Sequence, residues 1–140
     1  MMFTSNECLH QMIKVSVTKQ SNYPVGVAVI KKRLSAFLQK KGIVSDAEVS
    51  VAIVGEKKMT DIGAKYLKDK KLHNVLSFTP NEIKGEFIFP PDGIIHLGEI
   101  TVCYQKAVKE SKEENVLIDE KVYELVEHGA NHLLGIHHEE

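Results

Sequence analysis

Apolar and polar residues follow two different periods along the first part of the chain. They alternate at every second position, the period of a half-buried strand, over residues 13–18 and again over 49–54. Between these stretches, apolar residues recur at helical intervals from 27 to 38, and Gly42 follows the end of that pattern. The sequence therefore predicts a strand, a helix and a second strand in succession.

The rest of the chain predicts further elements of both kinds. They are a helix at 59–66, strands at 75–78, 86–89 and 94–102, a helix at 104–110, a polar interruption at 111–115 and a last helix at about 119–134. We expect the strand at 75–78 to be central and to meet a turn at 79–81, and the strands around Pro90-Pro91-Asp92-Gly93 to form a hairpin. This order predicts an α+β fold, a single mixed sheet of four to five strands with helices packed on it.

The composition indicates the number of domains and the environment of the protein. The 140 residues are 43% hydrophobic and 26% charged, which suits one globular domain over 1–140. No apolar run approaches the roughly 18 residues of a membrane span, and the start of the chain does not resemble a secretory signal, so we expect no membrane partner. The two cysteines, Cys8 and Cys103, form no disulfide framework and predict reduced thiols in a cytoplasmic protein.

Histidines at the end of the last predicted helix have the spacing of a metal site. His128 and His132 are four residues apart, so both imidazoles can reach one ion from one helical face. Gly135 can end the helix in the left-handed conformation, which brings in His138 as a third ligand, with His137 as the alternative. Three imidazoles leave a fourth position for water, which predicts one catalytic zinc ion per chain. The competing interpretation is a histidine-rich surface helix or tail that binds metal loosely.

The residue after the first histidine bears on the reaction class. Zinc peptidases of the H-E-x-x-H type use a glutamate there as general base, whereas this chain has Gly129, which makes room for a substrate or for close packing. Glu124 lies one turn before His128 and could orient its imidazole, although a solvated helix acid is the alternative. Lysine clusters earlier in the chain favour a phosphodiester as the substrate.

Three segments together resemble one known family. They are His128-Gly129-x-x-His132-Leu-x-Gly135-x-x-His138, Asn74-Val75-Leu76-Ser77-Phe78 and Leu97-Gly98-Glu99-Ile100. These segments are similar to the signatures of the YbeY family, over roughly residues 10 to 138. The resemblance implies a single-strand-specific, metal-dependent endoribonuclease in ribosomal RNA processing, in particular 16S rRNA 3'-end maturation and ribosome quality control. Its implied partners are ribosomal RNA and ribosomal proteins or the small ribosomal subunit.

The resemblance also implies roles for individual residues. It assigns zinc to His128, His132 and His138, and it makes Ser77 and Glu99, with His128, candidates for the catalytic cleft. Packing or turn roles for Ser77 and Glu99 are the alternative. Either metal-bound water or the 2'-OH of the RNA could be the nucleophile.

Several positions depart from the family pattern. Leu67 stands where the family has an arginine thought to meet phosphate, and His73, Asn131, Ile136 and His137 are also unusual. The phosphate role would then pass to nearby lysines, the candidates being Lys65, Lys68, Lys70 and Lys71. Leu67 favours a second hypothesis, a non-catalytic RNA-binding assembly factor with a structural metal. A zincin-like hydrolase of other specificity is a third hypothesis, which Gly129 disfavours.

Overall fold

The structure is a computed structural model that describes residues 12–20, 22–84 and 93–135. Within these ranges the chain forms four strands and five helices. In order they are β1 (Ile13–Lys19), α1 (Val27–Lys40), β2 (Ala47–Val54), α2 (Glu56–Tyr66), β3 (Val75–Phe78), α3 (Pro80–Lys84), β4 (Ile95–Cys103), α4 (Tyr104–Glu114) and α5 (Ile118–Leu133).

The strands form one mixed sheet in the order β1-β2-β4-β3. β1, β2 and β4 are parallel, and β3 runs antiparallel to β4. The predicted α+β class, with a mixed sheet and helices packed on it, is confirmed. The prediction of a central strand at 75–78 is wrong, because β3 lies at one end of the described sheet and pairs there only with β4. Its short apolar run resembles a buried central strand because helices cover both of its faces.

Two details around β3 also differ from the prediction. The expected turn at 79–81 instead starts the short helix α3, since Pro80 suits the first helical position after Thr79. The expected hairpin partner at 86–89 lies outside the described residues. The strand predicted at 94–102 corresponds to β4, which starts at Ile95, and the hairpin itself stays a prediction.

The main core lies on the face of the sheet that α1 and α5 cover. Alternate residues of β2 point into it, because the side chains of a strand alternate between faces. The largest fully buried side chains from these elements are Leu34, Leu38, Val51, Ile53, Ile100, Val102, Val122 and Val126. The opposite face packs against α2, where the Tyr66 and Phe78 rings lie 4.9 Å apart. Because helices cover both faces of the sheet, β4 is buried and α5 packs against it in one defined position.

The helix before α5 is longer than predicted. Residues 111–114 continue α4, because the Ser111 hydroxyl donates to the Val108 carbonyl at 2.8 Å and the side chain is buried. Asn115 then ends the helix in the left-handed conformation, with φ 60° and ψ 47°. None of the helices in the described ranges has the length and apolar character needed to cross a membrane.

Candidate functional site

The last helix, α5, presents two of the predicted metal ligands. Its buried stripe, which includes Val122 and Val126, fixes the helix on the sheet, and His128 and His132 follow one turn apart near its C-terminal end. His128 is exposed and His132 half-buried. Gly135, with φ 81°, follows the helix end in the conformation expected for the turn. This part of the site fits a metal ion bound by two helical imidazoles.

The third predicted ligand cannot be placed. His138 and its alternative His137 both lie outside the described residues. Within the described ranges, no group of three His, Cys, Asp or Glu side chains could hold an ion. The complete zinc site therefore stays a prediction.

Close packing accounts for the glycine between the two histidines. Gly129 is buried, and a Cβ atom there would lie 2.7 Å from Cγ2 of Ile100 in β4. A contact this short forces atoms apart, so a larger residue would push α5 off the sheet. Of the two uses that the sequence left open for Gly129, packing against Ile100 is the one that its surroundings require.

A carboxylate beside His132 was missed by the sequence prediction. Glu82 Oε1 lies 3.6 Å from His132 Nε2, and it accepts hydrogen bonds from the Thr79 N–H at 2.7 Å and the Thr79 hydroxyl at 3.1 Å. Burial alone would raise the pKa of Glu82, but the hydrogen bonds from Thr79 and the proximity of His132 outweigh it, so the pKa lies below its usual value. The signal was present as Thr79-x-x-Glu82, the spacing of a helix capping box.

The Leu97-Gly98-Glu99 segment allows three elements to meet near His132. Gly98 has φ 134°, and a Cβ atom there would lie 2.2 Å from the Phe78 carbonyl oxygen and 2.9 Å from Leu133 Cδ2. Only glycine tolerates both this backbone conformation and these contacts. The end of β3, the start of α3 and the end of α5 therefore converge at Gly98.

Ser77 and Glu99, the other two catalytic candidates, lie on opposite faces of the sheet. Ser77 pairs with Ile100, whose side chain packs under Gly129, so the half-buried Ser77 side chain projects towards the face with α5. Glu99 pairs with Phe78, so its exposed side chain projects towards the face with α2. The structure brings only Ser77 to the histidine side, and catalytic roles for both stay predictions.

The four candidate RNA-binding lysines are all exposed. Lys65 belongs to α2, and its ammonium lies 5.1 Å from the ring of Tyr66. The other three, Lys68, Lys70 and Lys71, lie in the loop from α2 to β3. Tyr66, which follows Lys65, packs on Phe78 from the face opposite α5, and the loop with the other three lysines leads into the start of β3. Leu67, at the end of α2, is 43% exposed and offers no charge to a phosphate.

Asp69 shapes the loop that carries these lysines. Its carboxylate accepts a hydrogen bond from the Lys71 N–H at 3.3 Å and lies 3.1 Å from Nε2 of His73. Burial alone would raise the pKa of Asp69, but these interactions outweigh it and lower the pKa. His73 therefore has a local partner that holds the loop at its entry to β3.

A cavity of about 350 Å³ lies beside His128, between α5 and the start of β3. Its lining residues are Asn74, Val75, Lys121, Glu124, Leu125, Glu127, His128 and Asn131. Most of these residues carry no functional signal in the sequence, because they come from two separate elements and include ordinary helix-surface residue types.

A buried lysine anchors one wall of this cavity. The Lys121 ammonium donates to Glu114 at 3.0 Å and to Glu124 at 3.3 Å, and it lies 3.7 Å from Glu110. Burial would lower the pKa of Lys121, but the hydrogen bonds to Glu114 and Glu124 raise it overall. The Asn74 amide donates to both oxygens of Glu110, at 3.2 and 3.1 Å, which ties β3 to α4. Glu124 is thus a hydrogen-bond partner of Lys121.

Together, the fold and this region define a class of small α+β proteins that present a histidine pair at the end of a helix packed on a mixed sheet. The family model described as "Endoribonuclease YbeY" matches residues 12–140, and the chain belongs to the YbeY family.

Similar curated proteins agree with this assignment. A protein of Dehalococcoides mccartyi named "Endoribonuclease YbeY" is 29% identical over 138 residues, covering 94% of this chain and 80% of the relative. One of the same name from Syntrophotalea carbinolica is 31% identical over 121 residues, covering 86% and 77%. A solution structure of a Thermotoga maritima protein has a TM-score of 0.53 and 23% identity, and the match covers 89% of this chain and 75% of that one. That last likeness concerns the fold alone.

Proposed function

We propose that this chain is a zinc-dependent endoribonuclease that cleaves single-stranded RNA during ribosomal RNA processing. Its proposed setting is 16S rRNA 3'-end maturation and ribosome quality control in the cytoplasm, with the small ribosomal subunit or its proteins as partners. The observation that carries the proposal is the histidine pair, His128 and His132, presented beside a cavity on a chain of the YbeY family.

The proposed zinc ligands are His128, His132 and His138. When bound, the ion supplies Lewis acidity towards a phosphodiester. Glu82 Oε1 lies 3.6 Å from His132 Nε2, and a carboxylate at that place would favour one orientation of the imidazole. Thr79 in turn fixes Glu82 through two hydrogen bonds. Thr79 thus positions Glu82, and Glu82 in turn lies beside His132.

The remaining residues would bind and orient the RNA. The lysines at 65, 68, 70 and 71 would neutralise the phosphate backbone. Ser77 projects to the same face of the sheet as α5, which supports a role in the cleft, whereas Glu99 would act from the other side of β3. A strand that passes the end of β3 would meet both groups.

A ribosomal RNA precursor provides the direct test. Zinc-loaded wild type is expected to cut single-stranded regions, and His128→Ala to abolish cutting, with product ends mapped in both cases. Zinc content per chain should be about one in wild type and should fall in His132→Ala. His138→Ala should lose zinc while the matched variant His137→Ala keeps it. Retention of zinc by His132→Ala would contradict the ligand assignment.

Leu67 supports a second candidate function, a non-catalytic RNA-binding assembly factor with a structural metal. Its exposed leucine side chain cannot bind phosphate as an arginine would. This alternative predicts RNA binding that survives His128→Ala and no cleavage by wild type. Introducing Leu67→Arg separates the two functions further, because a nuclease with a weakened phosphate contact should gain activity, whereas an assembly factor should gain only affinity.

A further inference from the structure

The loop from α2 to β3 carries three exposed lysines within four residues, Lys68, Lys70 and Lys71. Like charges this close repel one another, and the loop has no regular secondary structure to oppose the repulsion. Asp69 lies among the lysines, but its side chain is only 28% exposed because it packs against His73 and α2. The loop is therefore held from its inner side while its lysines stay at the surface.

The side chains of Asp69 and His73 form this inner contact. Both carboxylate oxygens of Asp69 lie close to His73 Nε2, at 3.2 and 3.1 Å, and Oδ1 also accepts from the Lys71 N–H at 3.3 Å. Gly63 of α2 leaves room for the pair, since a Cβ atom there would lie 3.1 Å from Asp69 Oδ1 and 3.2 Å from His73 Cδ2. The Gly63 carbonyl also accepts from the Leu67 N–H at 2.8 Å. The start and the end of the loop are thus tied to one point of α2.

The backbone of Lys68 has an unusual conformation. Its φ is 59°, and of the other non-glycine residues in the described ranges only Asn115 has a positive φ, at 60°. Asparagine suits such a helix end, because its short polar side chain can hydrogen-bond to the local backbone, whereas lysine has no such compensation. A residue kept in a sparsely populated conformation despite the cost indicates a function for its side chain.

We propose that Asp69 and His73 are positioning residues that hold the loop from α2 to β3 in the conformation that presents Lys68, Lys70 and Lys71 to the phosphates of a single-stranded RNA. A lysine ammonium is a point charge on a flexible stem, so fixing the backbone that carries it lowers the entropy cost of binding. This inference rests on the proposed function, because it takes the RNA backbone as the ligand of the lysines.

Removing the charge of Asp69 distinguishes positioning from simple electrostatic attraction. Asp69→Asn makes the protein more positive by one charge beside the lysines, so attraction alone would tighten RNA binding. If the carboxylate positions the loop, the same variant binds RNA more weakly, by about three- to ten-fold, the scale of the cost of ordering one flexible side chain on binding. Fluorescence anisotropy with a short single-stranded oligoribonucleotide and chelated protein measures the affinity without cleavage.

Asp61→Asn is the matched control, because Asp61 lies in α2, is 64% exposed and pairs with Lys57. It changes the net charge by the same amount outside the loop, so it should bind RNA at least as tightly as wild type. His73→Leu removes the ring nitrogen that faces Asp69 and should weaken binding as Asp69→Asn does. His73→Gln keeps an N–H donor and should restore most of the affinity. Circular dichroism spectra confirm that each variant is folded at the temperature of the titration.

The conformation of Lys68 allows a second test, which compares stability with binding. Lys68→Asn introduces a residue suited to the left-handed conformation, so it should raise the urea midpoint of unfolding while it weakens RNA binding. Lys70→Asn removes the same charge at a residue without positive φ, and it should weaken binding without raising the midpoint. A higher midpoint for Lys68→Asn with unchanged RNA affinity would overturn the role given to Lys68.

The outcomes separate the loop from the nuclease function. Weaker binding by Asp69→Asn and His73→Leu, with recovery in His73→Gln, supports the positioning role even if the zinc-loaded protein cuts no RNA. Binding by Asp69→Asn that equals or exceeds that of wild type overturns the positioning role, while cleavage by the zinc-loaded wild type would still support the nuclease proposal. If wild type binds no RNA, both are overturned.

Discussion

Two glycines set how closely the elements around the histidines approach each other. Gly129 lets α5 lie directly on Ile100, and Gly98 lets the end of β3 reach β4 and Leu133. In both cases the missing side chain determines the geometry. The two are not equivalent, because Gly98 also needs a backbone conformation that other residues rarely adopt, whereas Gly129 lies in ordinary helix.

We expect Gly129→Ala to lower the free energy of unfolding by about 1–2 kcal/mol. Alanine has a helix propensity about 1 kcal/mol more favourable than that of glycine. Overpacking against Ile100 costs about 1–3 kcal/mol, and the contact of 2.7 Å places this cost in the upper part of that range. Urea unfolding measures the change. In the Ile100→Ala background, which lacks Cγ1 and Cγ2 and is itself less stable by about 2–5 kcal/mol, Gly129→Ala should cost less than it does in wild type. Additive effects of the two substitutions would show that the steric contact is not the cause.

At the scale of elements, the junction of α4 and α5 is held by charge. Lys121 of α5 is 4% exposed and faces three glutamates, two of them in α4, and Asn74 binds the same cluster from the start of β3. Sequence periodicity predicts α5 at nearly its observed bounds. It did not reveal that a lysine would be buried, because the partners that make this possible come from another helix and depend on how the two helices pack.

The Lys121 cluster predicts a stability difference that depends on pH. Lys121→Met should destabilise the protein by about 1–2 kcal/mol at pH 8. This loss is smaller than that for removing one partner of a fully buried ion pair, because the glutamates remain partly exposed. The folded pKa of Lys121 is raised, so its contribution is complete below the unfolded value of about 10.4 and is lost as pH rises through the folded pKa. The gap between wild type and variant in urea unfolding should therefore shrink above about pH 10.4.

Lys109→Met is the matched control for this prediction. Lys109 is 67% exposed and pairs with Glu113 within α4, so its removal should change stability by less than about 0.5 kcal/mol at either pH. Burial and Glu127 raise the pKa of Tyr123 to about 12. Ionisation of this tyrosine therefore destabilises wild type and both variants alike in the same alkaline range. If the difference in unfolding free energy between wild type and Lys121→Met stays constant up to pH 12, the charge of Lys121 is not its cause.

A second prediction at this scale concerns the contact between α3 and α5. Glu82→Gln keeps an oxygen that can accept from Thr79 but removes the charge beside His132. If His132 binds zinc, the loss of this partner should weaken zinc binding by roughly ten-fold with little change in stability. Competition with a chromophoric chelator measures it, and Glu113→Gln serves as a control at an exposed helix site. Equal affinity in all three proteins would exclude an orienting role for Glu82.

At the scale of the whole molecule, local pattern predicted more than tertiary arrangement. The periods of β1, α1, β2 and α5 identified these elements because each has one buried face. The position of β3 in the sheet and the separation of Ser77 from Glu99 depend on strand order and pairing, which no local period encodes. The histidine pair was predictable from its spacing within one helix, whereas Glu82 and the cavity required elements distant in sequence to meet.

This arrangement places the two proposed RNA-binding groups on opposite sides of β3. The lysine segment joins α2, which packs on one face of the sheet through Tyr66 and Phe78, and the histidines lie on α5 over the other face. A single RNA strand that contacts both must pass β3 from one face of the sheet to the other. The lysines should then contribute electrostatic affinity at phosphates some distance from the cut, and they should not select a base.

Replacing Lys68 and Lys70 together by alanine should therefore weaken binding of single-stranded RNA equally for all sequences. Each lost phosphate contact should reduce the slope of log K against log salt concentration by about 0.7, giving about 1.4 for the pair. Anisotropy titrations at several salt concentrations measure the slope. Lys31→Ala with Lys32→Ala removes two exposed lysines of α1, a helix on the opposite face from α2, and should leave the slope unchanged. An equal reduction in both double variants would mean that RNA follows the general charge of the protein rather than a path across β3.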